Sequence, residues 1–364
     1  MEKKELLQKF DNFVKSLKKS DNIGVAYHAD GDGMASCLII DKAVFKLLKK
    51  RVFAFPRHNP NEAVDLELIN ELKEKNINKL IITDLSADTQ KNMVEEIAEF
   101  ARVLIIDHHK IYEDLNSANI LFIKAQFIEE KIPPESYPAS KMAFDLFSRH
   151  ADLRQEEWIA LLGLKADVSE KRWNGFIAKA HKKFPDKLIK FLLDSLSAIA
   201  ALSPKDFEKV FEQLFEAKNP KALMKSPLGK YVKEYKQLLK LWLQKFKKEA
   251  QIFPEIELVF FNMGYEKASI KSPLIDEAKK LFPHKTIIVV HERGTGFSTI
   301  SARRQDGKIK VNNLLEKAIL HLDHSAAGGH DPAAGGIIQT NDLQQFKKNL
   351  VTLLKEHYAV KAGK

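Results

Sequence analysis

The chain has 364 residues, of which 45% are hydrophobic and 30% are charged, and its formal net charge is +10. This length and composition are typical of a globular protein of about two domains, and they exclude a disordered chain. The single cysteine, Cys37, excludes an internal disulfide framework and a thiolate metal cluster, and it favours a reducing, cytoplasmic location.

The N-terminal segment MEKKELLQKFDNFVKSLKK has the lysine-rich amphipathic pattern of a helix. It lacks the apolar core and the small-residue cleavage site of a signal peptide. No later run reaches the ~18 uninterrupted apolar residues that a spanning helix needs, so we expect no membrane partner. The excess of Lys and Arg instead favours a polyanionic partner such as nucleic acid, although a solvated lysine surface would give the same balance.

Up to about residue 170, apolar runs with strand composition alternate with helical patterns. The runs are NIGVAYH, VFAFP, KLIITDLS, RVLIIDHH and ILFIKA, and the helical patterns between them include GMASCLIIDKAVFKLLKK and segments near 62–75 and 89–100. This alternation predicts an α/β domain with a mainly parallel sheet and helices on both faces. Ligands bind such sheets at the carboxyl edge of the strands.

Residues 139–250 carry no strand pattern and are predicted to be helical, with breaks at Pro185, Pro204, Pro220 and Pro227. After a change of composition near residue 251, strand runs, helices near 272–281 and 311–322 and a glycine-rich loop predict a second, smaller α/β domain. We therefore predict three parts: a first α/β domain over 1–170, a helical insert or linker over 171–250, and a C-terminal α/β domain over 251–364.

Three clusters of aspartate and histidine directly follow strand runs of the first domain. They are His28-Ala29-Asp30-Gly31-Asp32-Gly33, Thr83-Asp84 and Asp107-His108-His109. If the first cluster is extended, alternation points His28, Asp30 and Asp32 to one side. Carboxylate and imidazole ligands suit Mn, Mg or Zn, and the spacing does not fit a calcium loop. The clusters together predict a two-metal site.

We expect Arg57 and His58, at the end of the second strand run, to form a polar loop, with a phosphate contact as the alternative.

The clusters resemble the motifs of the DHH phosphoesterase superfamily, close to its RecJ-like exonuclease branch, over nearly the whole chain. His28, Asp30, Asp32, Gly33 and Ser36 match the first motif, Asp84 the second, Asp107-His108-His109 the third, and Asp167 the fourth, where Val168-Ser169 replaces the frequent Thr-Gly. The resemblance implies that one ion binds His28, Asp30 and Asp84. A second would bind Asp32, Asp84, His108 and Asp167, with Asp84 as the bridge. It further implies that Asp107 orients a histidine ring and that His109 donates to the substrate. We predict that Asp88 lies outside the site, as a helix cap or surface acid.

The C-terminal region resembles the DHH-associated domain. Ser301-Ala302-Arg303 and the stretch Ser325 to Gly336 match its two signatures, and glycines there would let backbone amides approach a phosphate. The alternative for the glycines is a tight structural turn. The resemblance implies catalytic donors at Arg303 and His330, and we favour Arg303 over Arg304. The predicted substrate-binding residues are Ser36, Arg303, Gly328, Gly329, His330, Ala334 and Gly335.

This resemblance implies a phosphodiesterase with two divalent ions, Mn²⁺ or Mg²⁺, that hydrolyses terminal phosphodiester bonds of single-stranded DNA or RNA. A second interpretation is hydrolysis of short oligonucleotides, cyclic dinucleotides or 3′-phosphorylated adenosine nucleotides. A third is a replication-complex scaffold that binds DNA together with replication or repair proteins. The intact set of predicted metal ligands favours an enzyme over a scaffold alone.

Overall fold

The computed structural model describes residues 2–57, 64–129, 131–203, 206–217 and 219–362. The chain forms two compact units, 1–229 and 230–364. Among the described residues, no helix combines the length and the apolar character needed to cross a membrane.

The first unit is built on a five-stranded sheet in which every neighbouring pair is parallel, in the order β2-β1-β3-β4-β5. Its strands are β1 (Ile23–His28), β2 (Phe53–Arg57), β3 (Lys79–Thr83), β4 (Arg102–Asp107) and β5 (Ile120–Lys124). The central strands are apolar along their whole length because helices cover both faces. The predicted α/β class and parallel sheet are confirmed.

Helices alternate with these strands along the chain. They are α1 (Lys3–Lys15), α2 (Gly31–Leu48), α3 (Leu66–Glu74), α4 (Lys91–Phe100), α5 (Ala125–Ile128) and α6 (Ala139–Phe147). The apolar faces of α3 and α4 pack on one face of the sheet, whereas α2 packs against β1 and α6 against β4. Of the segment predicted near 62–75, residues 62 and 63 lie outside the described residues.

The predicted helical region after α6 is confirmed. It comprises α7 (Glu157–Ala166), α8 (Asn174–His181), α9 (Asp186–Leu202), α10 (Phe207–Glu216) and α11 (Leu228–Glu249). Pro185 immediately precedes α9 and Pro220 opens a short 3₁₀ helix, as expected for a residue that lacks a backbone N–H. Pro204 lies outside the described residues.

The second unit contains a six-stranded mixed sheet in the order β10-β11-β9-β8-β7-β6. The strands are β6 (Gln251–Phe253), β7 (Leu258–Tyr265), β8 (Thr286–Glu292), β9 (Phe297–Arg303), β10 (Ala326–His330) and β11 (Ala333–Gln339). The helices are α12 (Lys271–Leu281), α13 (Val311–Ile319) and α14 (Leu343–Ala362). The α13 and α14 helices cover a core that includes Phe260, Ile300 and Phe346.

The prediction of a glycine-rich loop is wrong. The segment forms a β-hairpin in which Gly328 pairs with Gly335 and Gly329 with Ala334. Gly329 has φ +132°, and a Cβ there would lie 2.7 Å from the carbonyl oxygen of Ala333. Glycine therefore permits close pairing of these two strands, although their Gly and Ala residues are uncommon in β-strands.

Candidate metal site

The ends of three neighbouring strands bring the aspartate and histidine clusters together. His28 ends β1, Asp84 follows β3, and Asp107 ends β4 with His108 directly after it. Because parallel strands share one carboxyl edge, these residues lie at the same edge of the sheet. The described residues contain two groups able to hold a metal ion, His28 with Asp30 and Asp84, and Asp84 with His108 and His109. Asp84 is common to both groups.

The two carboxylate oxygens of Asp84 face different histidines. Oδ1 lies 3.2 Å from His108 Nε2, and Oδ2 lies 3.7 Å from His28 Nδ1, which is also 3.0 Å from Asp30 Oδ2. Burial opposes ionisation of Asp84, yet contacts with the two histidines hold its pKa well below the usual value. Burial opposes protonation of the His28 and His108 rings, but the neighbouring carboxylates raise the pKa of each well above its usual value. The site therefore concentrates negative charge that a cation would neutralise.

The backbone of Asp84 turns sharply at the end of β3. Its φ is +59°, in the left-handed region, and its N–H donates to the carbonyl oxygen of Ile106 at 3.1 Å. Aspartate tolerates this region better than most side chains do. The turn therefore suits a short carboxylate at this position.

Asp32 lies in helix, and the prediction that extended backbone runs through it is wrong. The α2 helix begins at Gly31, where Asp30 caps it by accepting hydrogen bonds from the amides of Asp32 and Gly33. The buried Asp32 carboxylate accepts hydrogen bonds from the amides of Ala139 at 2.7 Å and Ser140 at 3.2 Å, at the N-terminus of α6. Burial, with Asp84 and Asp167 nearby, raises the pKa of Asp32 well above its usual value.

Two glycines maintain the packing around Asp32, and Gly163 was not singled out by sequence. A Cβ at Gly33 would lie 2.0 Å from the carbonyl oxygen of His28. A Cβ at Gly163, in α7, would lie 2.0 Å from Ser140 Oγ and 2.6 Å from Asp32 Oδ1. The absence of a side chain at Gly163 allows α7 to approach Asp32 and Ser140 closely, but nothing in the local sequence of Gly163 indicates these neighbours.

Asp167 follows the last turn of α7 and faces the same edge. Its Oδ2 lies 3.7 Å from His108 Nδ1, which is buried and has no hydrogen-bond partner among the described residues. Burial, opposed by His108 and reinforced by Asp84, raises the pKa of Asp167 to about 6. Neighbouring ligands of one ion, each bound at about 2.1 Å, lie roughly 3 to 4 Å apart. The separations of 3.7 Å and 3.2 Å from the Asp84 oxygens to His28 and His108 therefore fit bound divalent ions. Asp167 faces the other ring nitrogen of His108 and lies outside both candidate metal groups.

Asp107 contacts His109 and a buried lysine. Its Oδ1 lies 2.7 Å from His109 Nδ1, and its Oδ2 accepts from Lys124 Nζ. Burial opposes ionisation, but His109 and Lys124 hold the pKa of Asp107 well below its usual value. Lys124 also contacts Asp88 at 3.1 Å, and the side chains of both residues are fully buried. The prediction that Asp88 is a surface acid is therefore wrong. Lys124, which contacts both aspartates, was not among the residues predicted from the sequence.

The predicted substrate contact Ser36 lies inside the fold. Its buried hydroxyl donates to the carbonyl oxygen of Gly33 at 2.7 Å and accepts from Thr83 Oγ1 at 3.1 Å. The bond with Thr83 connects α2 to β3 beside Asp84, and substrate binding by Ser36 stays a prediction. Arg57 pairs with Asp65, and His58 lies outside the described residues.

In the second unit, the predicted substrate residues lie on three adjacent strands. Arg303 on β9 pairs with Ala333 on β11, which pairs with the exposed His330 on β10. Arg303 Nε donates to Asp276 Oδ1 at 3.0 Å. Gly328, Gly329, Ala334 and Gly335 form the adjoining hairpin.

Arg304 has a different environment from that of its neighbour. It is buried, and it bonds to Asp306 at 2.7 Å and to Glu257, which also accepts from Tyr358 Oη at 2.6 Å. These contacts connect β9 and the segment before β7 to α14. Arg304 therefore has a structural role.

Comparison with known proteins identifies both parts of the chain. The model of the DHH family, N-terminal domain, matches residues 22–165, and that of the DHHA1 domain matches residues 260–356. No curated protein matches the chain. Together the two matched ranges cover more than half of the chain.

Three solved structures illustrate the similarity of fold. Exonuclease RecJ bound to manganese has a TM-score of 0.68 at 18% identity, over 96% of this chain and 94% of that chain. PggH of Vibrio cholerae, a pGpG-specific phosphodiesterase, has a TM-score of 0.52 at 13% identity, over 93% and 100%. CDC45 of Entamoeba histolytica has a TM-score of 0.59 at 11% identity, over 97% and 98%. At these identities the similarity concerns the fold alone.

Proposed function

Because the chain belongs to the DHH family of phosphoesterases, we propose that it is a divalent-metal-dependent exonuclease that hydrolyses terminal phosphodiester bonds of single-stranded DNA or RNA. The observation that carries this proposal is the shared position of Asp84 between two candidate metal groups. A two-metal phosphodiesterase needs such a bridging carboxylate. The manganese bound in RecJ makes Mn²⁺ the first ion to test, with Mg²⁺ as the second.

In this proposal, His28, Asp30 and Asp84 hold one ion, and Asp32, Asp84, His108 and Asp167 hold the other. The ions would supply a water of lowered pKa and would neutralise charge on the phosphate. For Asp32 the proposal requires a carboxylate that binds metal while it remains hydrogen-bonded to the N-terminus of α6. Such hydrogen bonds commonly orient metal-binding carboxylates.

The other proposed roles concern the substrate. His109 would donate to the phosphate or to the leaving oxygen, and its ring is oriented by Asp107 at 2.7 Å. Arg303 and His330 would contact the phosphate from the DHHA1 domain. We retain 1–170, 171–250 and 251–364 as the proposed functional division into DHH domain, helical linker and DHHA1 domain.

A longer substrate is favoured by the charge of the protein and by its helical region. The net charge is +10, and lysines on the exposed side of α11 offer positions for a phosphate backbone. These lysines are Lys233, Lys236, Lys240 and Lys247. The apolar side of the same helix, including Val232 and Phe246, is buried and belongs to the core.

A short substrate is the second candidate. The fold of this chain matches the whole of PggH, whose substrate, by its description, is the dinucleotide pGpG. A cyclic dinucleotide or a 3′-phosphorylated adenosine nucleotide would require the same metal chemistry. A scaffold role in replication, alone, is disfavoured because the carboxylates and histidines of the site are retained.

The test is hydrolysis of end-labelled single-stranded DNA and RNA of graded length, with Mn²⁺, with Mg²⁺ and with EDTA. We expect metal-dependent release of mononucleotides at rates that are maintained or increase with length. A maximum at about two to five nucleotides would reject the long-strand proposal in favour of the short-substrate candidate. Absence of hydrolysis of every substrate, in a protein shown to be folded and to bind Mn²⁺, would reject the enzymatic proposal.

A further inference from the structure

Three charged side chains are buried together behind His109. The side chains of Asp88, Asp107 and Lys124 are each 0% exposed. They lie at the carboxyl ends of three neighbouring strands: Asp88 in the short 3₁₀ helix after β3, Asp107 at the end of β4 and Lys124 at the end of β5. Burial of a charge is costly unless it is paired, so the complete set of contacts decides what the lysine does.

Lys124 is surrounded by oxygen acceptors. Its Nζ contacts Asp107 Oδ2, Asp88 Oδ1 at 3.1 Å and the carbonyl oxygen of Lys110 at 3.2 Å. These three acceptors match the three N–H donors of an ammonium group. Asp107 and Lys124 are also register partners on adjacent parallel strands. The backbone pairing therefore sets the position of the lysine relative to the carboxylate.

The contacts continue from Lys124 to the histidines. Asp107 Oδ1 lies 2.7 Å from His109 Nδ1 and accepts from the backbone N–H of His108 at 2.8 Å. Asp88 Oδ2 accepts from the backbone N–H of Tyr112 at 2.7 Å, on the far side of the same loop. The loop after β4 is thus attached to the buried charges at both ends.

We propose that Lys124 is a positioning residue, which fixes Asp107 so that the His109 ring keeps a proton on Nδ1 and directs Nε2 away from Asp107. Nε2 donates to the substrate, as proposed above, when the ring carries a proton on both nitrogens. Asp88 supports this positioning by holding Lys124 and the amide of Tyr112. This inference rests on the proposed function for its effect on catalysis, but its effect on the ring is independent of any activity. A carboxylate partner of this kind sets both the tautomer and the orientation of an imidazole.

Variants of the three residues should differ in a defined order. Lys124→Met should lower kcat by about 10- to 100-fold with KM changed by less than about threefold, because the ring and not substrate binding is affected. Asp107→Asn should cause a similar loss. Asp88→Asn retains the contact between Lys124 and Asp107, so its loss should be smaller than that of either variant. Lys124→Arg should restore part of the activity because it keeps the charge.

A double-variant cycle separates action through Asp107 from general damage. If Lys124 acts through Asp107, then Lys124→Met should have little additional effect on kcat in the Asp107→Asn background. Additive losses would overturn the inference.

A second variant covers the case in which Lys124→Met fails to fold. Lys124→Met/Asp88→Asn removes one charge of each sign and keeps the net buried charge of the parent protein. It should then fold and still show the loss of kcat.

Arg51 provides the matched control. Like Lys124 it is a cation paired with a buried carboxylate, Asp41, at 2.8 Å, but it lies just before β2, at the opposite edge of the sheet. Arg51→Met should lower the melting temperature and leave kcat within about twofold of the parent. An equal loss of kcat in Arg51→Met and Lys124→Met would indicate destabilisation alone and would overturn the inference.

A measurement on the ring itself distinguishes failure of this inference from failure of the proposed function. In ¹⁵N-histidine-labelled, Mg²⁺-loaded protein, the His109 signals should show a proton on Nδ1, and Lys124→Met should populate the other tautomer. If the parent shows this tautomer and the variant loses it, the positioning role stands even if no phosphodiester is hydrolysed. An unchanged tautomer in Lys124→Met would overturn the inference even in an active enzyme.

Discussion

Asp84 lies between His28 and His108, with one carboxylate oxygen 3.7 Å from the first and the other 3.2 Å from the second. Among the described residues it is the only one present in both candidate metal groups. Its replacement should therefore affect both groups at once, whereas loss of Asp30 would affect one.

The first prediction concerns Asp84→Asn. Asparagine tolerates the left-handed backbone at φ +59°, so the fold should be retained, while the charge shared between the two groups is lost. We expect kcat to fall roughly 100- to 1,000-fold and fewer Mn²⁺ ions to bind per chain by calorimetry. The exposed Asp114→Asn serves as a control, and metal-stimulated hydrolysis retained in Asp84→Asn would contradict the assignment.

A second prediction compares two glycines in helices. Gly163→Ala would place a methyl group 2.6 Å from Asp32 Oδ1, so it should lower the free energy of unfolding by about 1–3 kcal/mol and weaken Mn²⁺ binding. Gly175→Ala adds a methyl group with nothing within 4 Å and should not destabilise the protein. Denaturant unfolding measures both. Equal stability of the two variants would argue against the close packing of α7 on Asp32.

Adjacent arginines should respond differently to replacement. Arg304→Ala removes a buried cation that connects Glu257 with Asp306, and it should cost about 1–3 kcal/mol of unfolding free energy. Arg303→Ala should leave the melting temperature nearly unchanged and raise KM roughly tenfold, because the proposed phosphate contact is lost. Steady-state kinetics and thermal unfolding of both variants provide the test. The reverse pattern would exchange the roles of the two residues.

The fourth prediction is a pH dependence of stability due to Lys271. Burial, with Arg303 and Arg293 nearby, lowers the pKa of Lys271 to about 7, and its Nζ donates to the carbonyl oxygen of Ile300 at 2.9 Å. The unfolded chain holds this proton up to about pH 10.4, so the lysine destabilises the fold fully below pH 7, and the effect disappears as the pH rises from about 7 to 10.4.

Lys271→Met should therefore raise the melting temperature most below about pH 7, with a difference that shrinks toward pH 10. Thermal unfolding of the parent and the variant across this range gives the difference directly. Lys280→Met, on the same helix, controls for the loss of a lysine. A constant offset between parent and Lys271→Met at all pH values would contradict the prediction.

The sheet and the strand-end clusters could be predicted because both depend on local pattern. Apolar runs mark the strands, and the carboxyl ends of parallel strands share one edge, so Asp84 and His108 could be brought together without coordinates. The start of α2 was also readable, since an aspartate followed by a glycine and a second acid is a typical helix N-terminus. The prediction of extended backbone through Asp32 did not take this helix N-terminal pattern into account.

Other features depend on packing that no local pattern reveals. The burial of Lys124 results from pairing of β5 with β4 and from Asp88, 36 positions earlier in the chain. Gly163 is needed because Ser140 and Asp32 lie against it, and the glycine-rich hairpin forms because β9 offers a strand to pair with. Each of these follows from contacts between distant segments, which composition does not encode.

The attachment of Asp32 to the amides of Ala139 and Ser140, 107 and 108 positions later, has a consequence for protein synthesis. A ribosome that has produced the first five strands has made most of the acidic residues of the site, but neither the helix that anchors Asp32 nor Asp167. The growing chain thus emerges without a finished centre, and the centre is completed only when the rest of the first unit has followed. A protein proposed to degrade nucleic acid would in this way lack a complete metal site while its first unit is still being synthesised.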